Sequence, residues 1–211
     1  MVELWNIAKE ISSGLWVTLS IFGFTLLFSI PLGLLLSVMA VSKNRVLSGA
    51  VGVYTWLLRG TPLMLQLMAI MFGPYYLLGL NMGSDWKFGA CAIGFILNYA
   101  AYFGEIYRSG IQSIPRGQYE AASVLGYTRA QTFFKIVFPL LRPIISTMVI
   151  LNSLAFWNDF LLPSLVLTDK ELLTLPLSTY SFYGTYSADY GTIMAGLLLC
   201  VAPILVLYVV L

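Results

Sequence analysis

GQYEAASVLGYTRAQTFFKIVFP, residues 117–139, is a polar, helix-forming stretch in a chain that is otherwise oily. Glu120, Arg129, Gln131 and Lys135 fall within a few turns of one another. Ser113 and Pro115 are suited to opening a short helix, Glu120, Ala121 and Ala122 are good or neutral helix formers, and Gly126 is a natural stop. Thr128 with Gln131 makes a capping-box pattern that starts a second helix into TFFKIVF. The stretch therefore predicts a short helix, a tight turn and re-entry into an apolar span. Two uses fit it equally. A small-residue helix held between two spans is shaped for a partner's groove, with Ala121 and Ala122 allowing close approach and Glu120 offering a charge to an arginine there. Alternatively it is a connector lying on a membrane surface.

Composition decides what surrounds it. Of 211 residues, 59% are hydrophobic and only 9% charged, and the mean hydropathy is +0.88. Soluble domains carry roughly 25% charged residues, so this chain lacks the polar surface to face water on all sides. Its net charge of +2 is uninformative, and no basic run suggests nucleic acid. There is no histidine, which removes the commonest general base and metal ligand. Cys91 and Cys200 both fall in apolar stretches and read as small buried hydrophobes. No GxxxxGK[ST] loop occurs, so no ATP site of the usual kind is expected, and no metal or cofactor is. MVELWNIAKE lacks the basic flank of a cleaved signal, so the first apolar helix is expected to be retained.

A bilayer core needs about 20 apolar residues per helix. Five stretches qualify, at about 14–41, 61–80, 86–107, 136–157 and 190–211, in a single all-α membrane domain. Pro31 and Gly33 are tolerable kink sites in the first. Thr61 and Pro62 are a fitting N-cap and first residue for the second. Residues 46, 47, 50, 51, 54, 57 and 58 are apolar at helical spacing, predicting an interfacial helix over 44–59. Leu4, Ile7 and Ile11 hint at a shorter one at the other face. Lysine and arginine set the orientation. Eight of the eleven fall at 43–59 and 108–142, against only Lys9, Lys87 and Lys170 on the other side. The positive-inside rule then puts the two basic loops in the cytoplasm, the N-terminus outside and the C-terminus inside. The last span, ending LVLYVVL, has no basic anchor, as a trimmed tail would.

Polar groups within spans are costly and face protein or a water-filled path. Asn98, Tyr102 and Glu105 lie on one face of the third span, with Gln66 in the second and Asn152 in the fourth. These five either line a path for a polar solute or tie the bundle by interhelical hydrogen bonds of about 0.6 kcal/mol each. Glu105 is also placed to pair with Arg108 one turn on. Gly191 and Ala195 make a small-residue pattern suited to close packing, within the chain or in a dimer. Tyr180, Tyr183, Tyr186 and Tyr190 suggest an outer aromatic belt or a contact with another protein.

Glu120-Ala121-Ala122, three residues, Gly126, nine residues, then Ile136-x-Phe138-Pro139 resembles the EAA loop of bacterial ABC importer permeases, with Phe138 in place of the family's leucine. The resemblance implies a type I importer permease: five transmembrane helices and a cytoplasmic coupling segment at about 108–135, in the bacterial inner membrane. It implies that Glu120, Ala121, Ala122 and Gly126 dock a separate ATP-binding cassette subunit. It further implies an extracytoplasmic solute-binding protein, a second permease copy or paralogue, and no chemistry of the chain's own.

GLWVTLSIF, RGTPLMLQL and AAYFGEIYRSGIQSIPRGQYEAA make residues 14–139 similar to polar amino-acid permeases. Arg59 to Pro62 match that family's signature, and Glu105 with Arg108 its E-I-x-R element. After Pro139 the likeness changes. No KDTSL-like segment follows, and Trp157 to Phe160, Thr174 to Pro176 and Asp189 to Gly191 resemble elements of carbohydrate permeases. A polar amino acid is the solute the first part implies, a carbohydrate the second. An ATP-independent carrier would call for intramembrane carboxylates and broken-helix repeats, and only Glu105 qualifies. An intramembrane enzyme would call for a nucleophile with a base or a metal cluster, and none is found.

Overall fold

The computed structural model describes the backbone of residues 2–83, 85–159, 161–169, 172–180 and 190–210, and all regular structure among them is helical. Helix α1, Val2–Ala40, runs unbroken from the start of the chain. The separate short helix expected from Leu4, Ile7 and Ile11 is its first part, because nothing from residue 2 to 13 breaks a helix. Pro31 lies inside α1 without ending it.

Helix α4, Asp85–Ser113, is central and packs on α1 and on every other long element before the last. Its close approach to α1 depends on glycine. A Cβ on Gly33 would stand 2.6 Å from the Phe103 Cβ and 3.0 Å from the Gly104 nitrogen, so no larger residue fits between the two backbones. The core runs along α4 from one end to the other. Leu67, Cys91 and Phe95 sit in its first cluster, Phe103, Tyr107 and Val149 in the next, and Ile114, Val137 and Leu141 in the last. Cys91 is wholly buried and Cys200 nearly so, both as free thiols.

Helices α2, Arg45–Gly60, and α3, Leu63–Leu78, meet at a bend of 106°. Asn44 caps α2, its side chain accepting from the Val46 and Leu47 amides. Pro62, not Thr61, is the N-cap of α3. Thr61 instead closes α2, its hydroxyl and amide both donating to the Leu57 carbonyl. One residue thus serves the helix before it, because an extended X-Pro step follows at once.

Gly14–Ala40, Trp86–Ser113 and Arg129–Ala155 are each long and apolar enough to cross a bilayer. At 16 residues, α3 is about 24 Å long, short of a core of about 30 Å; with α2 it forms one bent pair. Helix α5, Arg116–Val124, follows α4. Helix α6, Arg129–Thr132, then passes through a π-helical turn, Phe133–Val137, into α7, Phe138–Trp157.

Two short helices, α8 at Leu161–Val166 and α9 at Leu175–Tyr180, precede α10, Tyr190–Val210. The Leu175 amide donates to Thr18 Oγ1 at 2.7 Å, pinning α9 to α1. Lys87 Nζ pairs with Asp169 at 2.9 Å, tying the start of α4 to the segment after α8. The packed face of α10 is Ile193, Gly196 and Cys200. A Cβ on Gly196 would meet Thr179 Oγ1 at 2.8 Å, and Trp157 Nε1 donates to the Cys200 carbonyl at 2.7 Å. Gly191 and Ala195, expected to be the packing pair, are exposed, because the indole fixes the rotation of α10. Of the expected tyrosine belt, Tyr190 is exposed and the other three side chains lie outside the described residues.

Candidate functional site

Residues 113–139 fold as a compact, self-terminating element. Pro115 stands at the N-cap of α5, where its missing N–H costs nothing. The helix ends because Gly126 takes a left-handed φ of 73°. Gly126 N donates to the Ser123 carbonyl and Tyr127 N to the Ala122 carbonyl, each at 3.0 Å, which is the paired closure of a Schellman motif. Two residues later Thr128 and Gln131 form a reciprocal capping box, at 3.3 and 2.9 Å.

The faces of α5 are unequal. Ala122 is wholly buried, and Tyr119 is half-buried with its hydroxyl donating to the Ile111 carbonyl at 3.3 Å. Burial raises the Tyr119 phenol above its usual pKa. Glu120 and Ala121 are exposed, and Val124 and Leu125 are exposed to 88% and 69%. Ala122 therefore holds α5 to its own bundle. The outward surface comes from Glu120, Ala121, Val124 and Leu125, the last two not foreseen in the sequence.

Four of the five polar residues of the spans fall into two groups along α4. At the α2–α3 bend, Asn98 Nδ2 donates to the Leu58 carbonyl and to Gln66 Oε1, both at 3.0 Å. Gln66 Nε2 donates to the Leu58 carbonyl and to Thr61 Oγ1, both at 2.8 Å, and to the Thr61 carbonyl at 3.0 Å. A helix that stops leaves its last carbonyls without partners, and these two amides supply them. Tyr54 supports the same corner, its hydroxyl donating to the Leu97 carbonyl at 2.7 Å.

One to two turns along α4, Glu105 accepts from Arg108 through both Nε, at 3.1 Å, and Nη2. Arg59 Nη1 lies 3.9 Å from Glu105, and its guanidinium sits 5.3 Å from the centre of the Tyr102 ring. Arg59 joins the two groups, since it ends α2 beside the bend and reaches the carboxylate. The sequence marked it only by its RGTP context. Asn152 stands apart, bonded to the Met148 carbonyl of its own helix at 2.8 Å. Thr25 and Ser29 on α1 and Ser153 on α7 are buried hydroxyls without a hydrogen-bond partner; small hydroxyls are common in apolar helices, so their sequence positions alone do not mark them. Asp159, just beyond α7, accepts from the Leu162 amide at 3.1 Å. Burial raises its pKa, opposed by the backbone amides of α8. Among the described residues no group of three or more acids or cysteines could hold a metal ion.

Residues 29–211 match the family described as "Binding-protein-dependent transport system inner membrane component". The chain belongs to this family. As such it is a multi-pass protein of the inner membrane and a transport component. Among relatives of this permease chain, the multiple sugar-binding transport system permease protein MsmG of Streptococcus mutans is 40% identical over 99 residues, 46% of this chain and 36% of the relative. The putative glutamine transport system permease protein GlnP of Rickettsia conorii is 37% identical over 129 residues, 61% of this chain and 58% of the relative. The alignments thus span about a third and just over half of those two relatives' lengths. Among solved structures, that of an amino acid ABC transporter with histidines superposes with a TM-score of 0.74 at 22% identity, covering 99% of this chain and 94% of that one. The fold is that of an ABC importer permease.

Proposed function

We propose that this permease is the membrane-spanning subunit of an ATP-driven importer and that the element at 113–139 couples it to a separate ATPase. One observation carries the reading. Between two membrane-length helices the chain builds a short helix that opens on Pro115, is closed at its C-terminus by its own Schellman turn and is followed at once by a capping box, and that leaves Val124 and Leu125 uncovered beside Glu120. Two exposed apolar side chains beside a charge, on a helix outside the membrane-length ones, suit a contact with another protein. An ATPase cleft is the partner, with Glu120 and Ala121 facing it and Gly126 setting the turn. Closure of two ATPases would draw two such elements together, one from each of two permease copies or paralogues. That movement switches the path only if each partner binds the two states unequally.

The five polar span residues form the path in this reading. Tyr102 and Glu105 face it, Gln66 and Asn98 stand behind them at the bend, and Asn152 lies across from α4. The solute is a polar amino acid delivered by an extracytoplasmic binding protein, supported by the glutamine-permease relative. A carbohydrate is the second reading, supported by the sugar-permease relative.

The test reconstitutes the chain with its ATPase in liposomes and compares ATP turnover with amino-acid-loaded and sugar-loaded binding proteins. Stimulation by the first supports the amino-acid reading and by the second the carbohydrate reading. Solute uptake that proceeds without the ATPase would sink coupling altogether.

A further inference from the structure

A cavity of about 440 Å3 opens between the end of α1 and the coupling element, away from the residues proposed for the path. Val38 of α1, Val41 just beyond its end, Ile111 of α4, Tyr119 of α5 and Phe133 of the π-helical turn give it apolar walls. Its volume lies within the roughly 300–1,000 Å3 of small-molecule sites. Arg129 is the only lining residue that carries a full charge, and no lining residue is acidic. Arg129 forms no ion pair among the described residues. It also stands in the first turn of the helical run that continues into α7, where a cation opposes the helix dipole and contributes nothing to the helix itself. A second cation is close by, since Lys135 Nζ lies 5.1 Å from the centre of the Tyr127 ring, and Tyr127 lines the cavity.

We infer that this chamber binds a membrane phospholipid with an anionic headgroup, its acyl chain against the valines and Phe133 and its phosphate on Arg129. The chemistry excludes simpler occupants. A free anion would use Arg129 and leave the apolar walls wet, a lipid without phosphate would leave the guanidinium unpaired, and the ammonium of a zwitterionic headgroup would meet Arg129 and Lys135 as like charges. The position selects lipid over other amphiphiles, because Val38 and Ile111 lie in the last turns of two membrane-length helices and Val41 directly follows the first. The chamber therefore lies at a membrane boundary, where lipid is the solvent. This inference does not rest on the transport reading.

Native mass spectrometry of the purified full chain in detergent tests it, with phosphatidylglycerol and phosphatidylethanolamine offered in turn. The wild type should retain phosphatidylglycerol preferentially. Arg129→Gln, an exposed polar exchange, should lower that retention about fivefold, the amount one basic residue contributes at an anionic surface, and lower that of phosphatidylethanolamine by less, so that the preference between the two shrinks. Val38→Trp, which fills the chamber, should remove the retained lipid. Equal retention of the two lipids by the wild type, or retention indifferent to Arg129→Gln, would overturn the proposal. So would displacement of phosphatidylglycerol by glycerol phosphate, which carries the headgroup chemistry without the chain. Protection of a Ser123→Cys thiol by the ATPase subunit but not by phosphatidylglycerol would assign the chamber to protein and likewise refute it.

Discussion

Gly126 shows how one residue fixes an element. Its φ of 73° is left-handed, yet a Cβ there would meet nothing within 4 Å. The cost of Gly126→Ala is therefore conformational alone, about 1–2 kcal/mol. Gly79, which ends α3 with a φ of 67° and equally open surroundings, supplies a matched control. Both alanine variants should lower thermal stability by similar amounts, while only Gly126→Ala lowers ATP-linked uptake. Gly126→Asn should recover part of both losses, since asparagine tolerates the left-handed region. Equal uptake in the two alanine variants would show that the turn has no special part in coupling. Asp159 gives a residue-scale prediction of a different kind. Its pKa is raised by burial, so the folded state favours the protonated acid. Its contribution to stability is full below the unfolded carboxylate pKa and is lost as pH rises through the raised folded value. Asp159→Asn keeps an oxygen for the Leu162 amide and removes the buried charge. The variant should melt higher than wild type at neutral pH, with the difference vanishing in acid; a lower melting temperature at neutral pH would mean the carboxylate serves a partner there.

At the scale of elements, the bend between α2 and α3 is a hydrogen-bonding problem solved from outside. The Leu58 and Thr61 carbonyls take their donors from Gln66 and Asn98. A double-mutant cycle on Gln66→Leu and Asn98→Leu should give a coupling energy of about 0.5–3 kcal/mol in thermal or denaturant melts. A value of zero would mean the two amides act separately and the bend is held by packing. This region also shows what the sequence carried and what it withheld. An amphipathic run over 44–59, followed by Thr61-Pro62 and an apolar stretch, was enough to predict two helices with a break between them. The angle of 106° was not legible, nor was the pairing of Gln66 with Asn98 across 32 positions, because both depend on how α4 crosses the corner. The fold of residues 113–139 was legible almost throughout, since Pro115, Gly126 and the Thr128–Gln131 box act within a few residues of themselves. Its inward-facing Ala122 was not, because that depends on where α5 lands on α4 and α7. The same limit explains α10, where Gly191 and Ala195 had the right spacing but the Trp157 indole chose the face through Gly196.

For the whole molecule, the basic residues divide the ends of the bundle. Eight of the eleven, Lys43, Arg45, Arg59, Arg108, Arg116, Arg129, Lys135 and Arg142, fall in the segments assigned to one end, against Lys9, Lys87 and Lys170 at the other, where Lys87 is already paired with Asp169. Moving eight basic residues across a bilayer would cost far more than moving three, which is the physical content of the positive-inside rule. The prediction is that the coupling element faces the cytoplasm and the α3–α4 loop the other side. It can be checked with little background, because the two native thiols are buried, Cys91 completely and Cys200 with 6% exposure. Gln118→Cys in α5 and Asn81→Cys after α3 replace exposed polar residues and should leave the fold unchanged. In intact cells a membrane-impermeant maleimide should label position 81 and not position 118, and in inverted vesicles the pattern should reverse. Labelling of 118 from outside would turn the molecule over, and with it the side from which an ATPase could reach Glu120.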